Sequence, residues 1–154
     1  MEGLEELQEA LKKYPEQWQQ IAGRALGPGL AVLEREAKSR APIGVTGKSA
    51  STIGSTIVRE PGSQIVGKVG SGVDYGPYSL EYGRGPGKMP PVDKIEEWAR
   101  FRGMPGAGFV IARAIGARGV KAPRVFSKTL AAKKAEVLKL FERGIADALK
   151  RLFR

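Results

Sequence analysis

The chain has 154 residues with 26 basic and 16 acidic side chains, a net charge of +10, and neither cysteine nor histidine. That length fits one domain able to bury a core without covalent staples. The two missing residue types exclude a disulfide framework, a thiolate or imidazole metal site, and the commonest general base.

The charge is unevenly placed. Residues 1–60 carry eight basic and eight acidic side chains, whereas residues 61–154 carry eighteen and eight. No acid lies between Glu97 and Glu136, a gap that holds Arg113, Arg118, Lys121, Arg124 and Lys128 among nine cations. Such asymmetry points to a polyanion or an acidic protein surface as partner, or to a solvated face that keeps the protein soluble. Asparagine is also absent, and charge comes from Lys, Arg and Glu, a thermophile habit. No stretch is long and apolar enough to span a bilayer, and the acidic start, Glu2 to Glu6, does not read as a signal peptide.

In chain order, Leu4, Leu7, Leu11, Tyr14, Trp18, Ile21 and Ala25 recur in steps of three and four, which predicts an amphipathic helix. Pro15 starts or bends a helix there, and Gly27-Pro28-Gly29 predicts a break. A second helical run carries Leu30, Leu33 and Ala37 and stops before Ala41-Pro42, because a residue preceding proline avoids helical angles. Residues 42–52 are small and polar and read as a loop. Ile53 to Glu60 and Gln64 to Gly70 read as two strands joined by a Pro61-Gly62 turn, that is, a hairpin with Ile65, Gly67 and Val69 on one face.

Val73 to Tyr82 admits either a third strand or a short helix, and Gly83 to Pro90 is a Gly/Pro-rich loop. Pro90-Pro91 precedes a helix with Ile95, Trp98 and Ala99 inward, ended by Gly103. Phe109 to Arg118 predicts a helix with Val110 and Ala114 inward and Ile111 and Ile115 as further inward candidates. A long last helix from about Phe126 to the end carries Phe126, Leu130, Val137, Phe141, Ile145, Ala148 and Leu152 on one face. The fold class is α+β: N-terminal helices, a small antiparallel sheet with a hairpin, and a long C-terminal helix packed on the sheet.

Enzyme chemistry is poorly supplied. A hydrolase without His or Cys needs a Ser–Lys pair or two carboxylates. Ser49, Ser51 and Lys48 are merely adjacent on a loop, and Asp74 and Glu81 are the only acids between Glu60 and Asp93. Gly83-Arg84-Gly85-Pro86-Gly87-Lys88 has a phosphate-loop flavour but lacks its spacing, and Met89-Pro90-Pro91 replaces the hydroxyl and free amides such a loop needs. No catalytic residue, metal or cofactor is expected.

Four strings in a fixed order carry a resemblance. They are Ala41-Pro42 with Thr46-Gly47, the hairpin, Tyr75 to Gly83 with Glu81, and Gly119-Val120-Lys121-Ala122-Pro123 before Phe126. Together, over residues 30–135, they resemble a family of tailed-phage proteins of tail completion and head–tail joining, the neck proteins. Arg84 stands where that family usually has threonine, Lys48-Ser49-Ala50 departs from its usual leucine, and Arg124-Val125 delay its phenylalanine.

The resemblance implies a structural virion protein without enzymatic activity, assembled in the host cytoplasm. It implies a ring of copies, a hexamer, between head connector and tail tube or terminator proteins, with DNA passing through the lumen and no membrane partner. The interface candidates are Thr46, Lys48, Tyr75, Tyr78, Glu81, Tyr82, Arg84 and Lys88, on the loops 42–51 and 83–90 and the segment between them. Each tyrosine offers a stiff amphipathic contact surface, or else packs at the sheet edge under the last helix. Glu81 would pair with an arginine such as Arg84 or Arg113. Arg113, Arg118, Lys121, Arg124 and Lys128 would face DNA or an acidic neighbour. The alternative is a sequence-independent nucleic-acid-binding protein, for which Trp98, Phe101 and Phe109 interleave with the basic stretch.

Overall fold

A computed structural model describes residues 15–42, 48–60, 64–72 and 76–152. The elements are α1 (Pro15–Arg40), α2 (Lys48–Ser51), β1 (Ile53–Glu60), β2 (Gln64–Ser71), α3 (Gly76–Tyr82), α4 (Val92–Phe101), α5 (Gly108–Arg118) and α6 (Val125–Leu152). β1 and β2 form a two-stranded sheet. Three residues join them, too few for a crossover, so the pair is antiparallel. The architecture is α+β, with helix first, hairpin next and a long helix last. The N-terminal stripe from Leu4 to Tyr14 and the Pro61-Gly62 turn lie outside the described residues.

The chain forms two compact units. One comprises residues 1–35, 55–69 and 132–154; the other comprises residues 36–54 and 70–131.

In the first unit α1 meets α6 through small residues. A Cβ on Gly29 would lie 2.9 Å from Val137 Cγ1, and one on Gly144 would lie 3.0 Å from Cα and Cβ of Ala25. The sheet is met by α1: Leu30 fills the space a side chain at Gly67 would need, with its Cδ2 2.8 Å from that Cβ position. Ser55 Oγ donates to Glu34 Oε2 at 2.6 Å, so β1 is held to the same helix. These contacts explain why Gly27-Pro28-Gly29 does not end the helix: α1 runs unbroken from Pro15 to Arg40 with Pro28 inside it. Gly29 is there for close approach to α6, and Pro28 is exposed, where water can serve the Arg24 carbonyl that lacks its helical donor.

In the second unit the buried apolar residues are Ala37, Ala41, Ile53, Leu80, Ala99, Ala112 and Val125. Alanine dominates, so the elements come close instead of being spaced by large side chains. α1 ends where the Ala41-Pro42 pair predicts, with Ala41 N–H donating to the Ala37 carbonyl at 3.0 Å. Lys48–Ser51 forms one helical turn inside what the sequence presents as loop. The two readings left open for residues 73–82 resolve as a helix, α3, from Gly76. Gly103, at φ +75°, ends α4 as expected.

Two apolar faces differ from expectation. In α5 Ala112 is fully buried and Ile111 and Ile115 half-buried, while Val110 and Ala114 are exposed. The helix is turned by about one residue because its first residue, Gly108, is held against Glu96: a Cβ there would lie 2.6 Å from that side chain. In α6 Leu130 is exposed and Thr129 buried in its place.

Two glycine substitutions should move stability in opposite directions. Gly23 is helical with open space around its Cβ position, so Gly23→Ala should raise stability by about 0.5–1 kcal/mol through helix propensity. Gly144→Ala should lower it by about 1 kcal/mol or more, because the new Cβ meets the Ala25 backbone. Urea denaturation of the two variants checks both.

Candidate functional site

The start of α6 poses a local problem. A helix leaves its first amides without partners, and a Ser, Thr, Asp or Asn just before it usually accepts from them. Arg124 precedes α6, cannot accept, and adopts φ +54°, an unfavourable conformation for a residue with a side chain. Glu81, 45 residues upstream, supplies the acceptor. Its Oε2 takes the N–H of Phe126 at 2.9 Å and of Ser127 at 3.2 Å, and its Oε1 accepts from the Ser127 hydroxyl. The Arg124 N–H donates to the Glu81 carbonyl at 3.2 Å.

Partial burial raises the Glu81 carboxyl pKa. The Ser127 hydroxyl, the amides of Ser127 and Phe126 and the charge of Arg124 outweigh it, so the group titrates below the usual carboxylate range. Glu81 is thus a helix cap, where the sequence suggested a pair with Arg84 or Arg113.

The next residues extend the same join. Gly83, at φ +70°, sits so close to the α5–α6 connection that a Cβ would lie 2.4 Å from the Val120 carbonyl oxygen. Gly119, at φ +75°, would bring a Cβ within 2.1 Å of the Arg84 carbonyl oxygen. Between them Arg84 and Val120 form an antiparallel bridge, with N···O distances of 3.0 and 2.6 Å. Gly87 N–H donates to the Gly116 carbonyl at 2.8 Å, and the Arg84 guanidinium donates to the Lys88 carbonyl. The Gly/Pro loop is therefore already ordered, and these amides are committed to carbonyls instead of forming a phosphate cradle. Two of the sequence strings that carry the resemblance, Tyr75–Gly83 and Gly119–Pro123, thus meet in space.

Glu96 plays a matching part for α5, which Ala107 precedes without a side-chain cap. It accepts from the amides of Gly106 and Gly108, each at 2.8 Å, and from Arg100 Nε at 3.1 Å. The two amides and then Arg100 hold its carboxyl below the usual range. Sequence reading missed Glu96. The signal was available: neither α5 nor α6 has a side chain able to cap just before it, so a remote acceptor was required.

Above this join two tyrosines stand outward. Tyr78 and Tyr82, four residues apart on α3, have ring centroids 5.0 Å apart and are 67% and 66% exposed. Leu80, on the other side of the same short helix, is buried. These rings pack on each other, not under a helix. Arg84, Lys88, Lys121, Arg124 and Lys128 are exposed on or beside the joined segments, and Arg113 and Arg118 are exposed on α5. Arg102 lies over the Trp98 ring at 5.5 Å. Thr46 and Tyr75 fall outside the described residues; Lys48 opens α2, but its side chain is not among those described. Among the described residues, no three His, Cys, Asp or Glu side chains gather where they could hold a metal ion. No described helix is long and apolar enough to cross a membrane.

A family model described as "Bacteriophage HK97-gp10, putative tail-component" matches residues 5–83, half of the chain. The match starts earlier than the four strings do and ends at Gly83, so Gly119–Pro123 lies beyond it. No curated protein and no solved structure matches the chain.

Removing the remote cap should be measurable. Glu81→Ala should cost about 1–2 kcal/mol of stability. Glu81 and Glu96 both have lowered pKa values, so the stability they contribute is complete above the usual carboxylate pKa. It is lost as pH falls through that value and on through their own. Glu81→Gln should therefore flatten the acid limb of a stability–pH profile. In a separate test, Gly83→Ala should destabilise by more than about 1 kcal/mol, because strain and the Val120 carbonyl act together. Thermal melts across pH read all three.

Proposed function

Because this chain belongs to the HK97-gp10-like family of bacteriophage tail components, we propose that it is a structural subunit of the virion's tail-completion or neck ring. Several copies, six in the reading favoured here, join the head connector to the tail tube or terminator. The work is mechanical: matching surfaces, closing the joint and leaving a lumen for DNA. The observation that carries this reading is the exposed Tyr78–Tyr82 pair, fixed on a short helix whose Glu81 is locked to α6. Rigid aromatic area with polar tips suits a protein interface, and its low conformational entropy favours binding. In a ring, one patch meets a different patch on the next copy. The loops 42–51 and 83–90 and the residues Thr46, Lys48, Tyr75, Arg84 and Lys88 are assigned to such contacts.

The exposed cations Arg113, Arg118, Lys121, Arg124 and Lys128 support a second reading, a sequence-independent nucleic-acid-binding protein. The two readings separate on salt. A ring subunit retains little duplex DNA at ~150 mM salt, while a DNA-binding protein retains it and loses affinity along a steep log–log slope.

Immunogold labelling of purified particles tests the first reading directly, with label expected at the head–tail junction. Label elsewhere on the tail would move its station. No label, with the chain also missing from particles by mass spectrometry, would overturn the structural reading. Tyr78→Ser/Tyr82→Ser should change folding stability by no more than about 1 kcal/mol, since both rings are exposed, yet sharply reduce incorporation into particles.

A further inference from the structure

The outward side of α5 is unusual for a solvent-facing helix. Its exposed positions are Phe109, Val110, Arg113, Ala114, Ala117 and Arg118, in the two-on, two-off rhythm of one helical face. Phe109 is 56% and Val110 68% exposed. The face holds large apolar groups, small alanines and two arginines, with no acid, hydroxyl or amide. Exposed helix faces ordinarily mix both signs of charge with polar groups. A surface that tracks phosphates usually adds Ser, Thr, Asn, Gln or Tyr donors to its cations. Apolar positions flanked by arginines suit another apolar stripe flanked by carboxylates.

The same chain contains that complement. Residues 2–16 hold Glu2, Glu5, Glu6, Glu9 and Glu16 against Lys12 and Lys13, around the stripe Leu4, Leu7, Leu11 and Tyr14, so the acidic part is residues 2–9. We propose that the outward face of α5 is the docking surface for the acidic, leucine-striped residues 2–16 of a second copy of this chain. This rests on the reading of the chain as a subunit that meets copies of itself. Leucines of the incoming segment cover Phe109 and Val110, Ala114 and Ala117 allow a close approach, and its glutamates face Arg113 and Arg118. The contact is heterologous, segment to helix face, so each copy both gives and receives it, as a ring requires.

The absence of cysteine allows a clean test. Two separately tagged full-length variants, Leu7→Cys and Ala114→Cys, are mixed and oxidised, and the covalent heterodimer is measured. A Lys139→Cys chain replaces the Ala114→Cys chain as control. The expected result is a heterodimer well above control. Arg113→Glu/Arg118→Glu in the Ala114→Cys chain should reduce it about tenfold or more through like-charge apposition. Glu5→Arg/Glu9→Arg in the Leu7→Cys chain should restore it.

A yield no greater than the control overturns the proposal. So does a disulfide-closed monomer in a single chain carrying both Leu7→Cys and Ala114→Cys, without heterodimer in the mixture, which would place the segment on its own copy. Loss of duplex DNA binding in Arg113→Glu/Arg118→Glu at ~150 mM salt, with no cross-link, would assign the face to nucleic acid. The cross-link is read in solution, so its failure is distinct from absence of the chain from particles.

Discussion

The carboxylate of Glu81 is the contact on which the rest of the second unit depends. It closes the open end of a 28-residue helix that has no acceptor of its own before its first turn. The strained Arg124 backbone and the glycine pair Gly83 and Gly119 make sense around it. The chain must turn sharply into α6, and the two strands of the join must approach at backbone distance. Side chains at either glycine would collide with a carbonyl before that carboxylate could arrive. Glu96 repeats the device for α5, where Gly108 makes room for the Glu96 side chain. Remote carboxylates thus do the work that a Ser, Thr, Asp or Asn just before a helix usually does locally.

Small residues and large ones divide between inside and outside in an unusual way. Alanines fill much of the interior, while Tyr78, Tyr82, Phe101, Phe109, Val110 and Leu138 are at least half exposed. Close helix packing through Ala and Gly stabilises the chain without large side chains, which leaves the large ones available outside.

Most elements could be read from the sequence because their signals are local. The strand from Ile53 to Glu60, the Ala41-Pro42 stop and the Gly103 cap depend on a few adjacent residues, and each holds. What failed depended on something distant. Gly27-Pro28-Gly29 looks like a break until α6 is seen lying against Gly29. The α5 face is rotated because Glu96, twelve residues upstream, fixes Gly108. Glu81 stands out in the sequence as one of two acids between Glu60 and Asp93. Its partner was misread because an arginine is visible in a string of letters and an uncapped amide is not. Three of the four strings lie within the residues the family model matches, and the bridge near Gly83 and Gly119 joins the third to the fourth.

The short helix α3 has a mechanical consequence. Tyr78 and Tyr82 project from one side of a seven-residue element, and Glu81 leaves from another. A pull on the rings is carried through less than one helical turn to three hydrogen bonds at the end of α6, itself about 42 Å long. One carboxylate makes all three, so they are lost together when it leaves. The join is a clasp that ties the ring-bearing short helix to the start of α6.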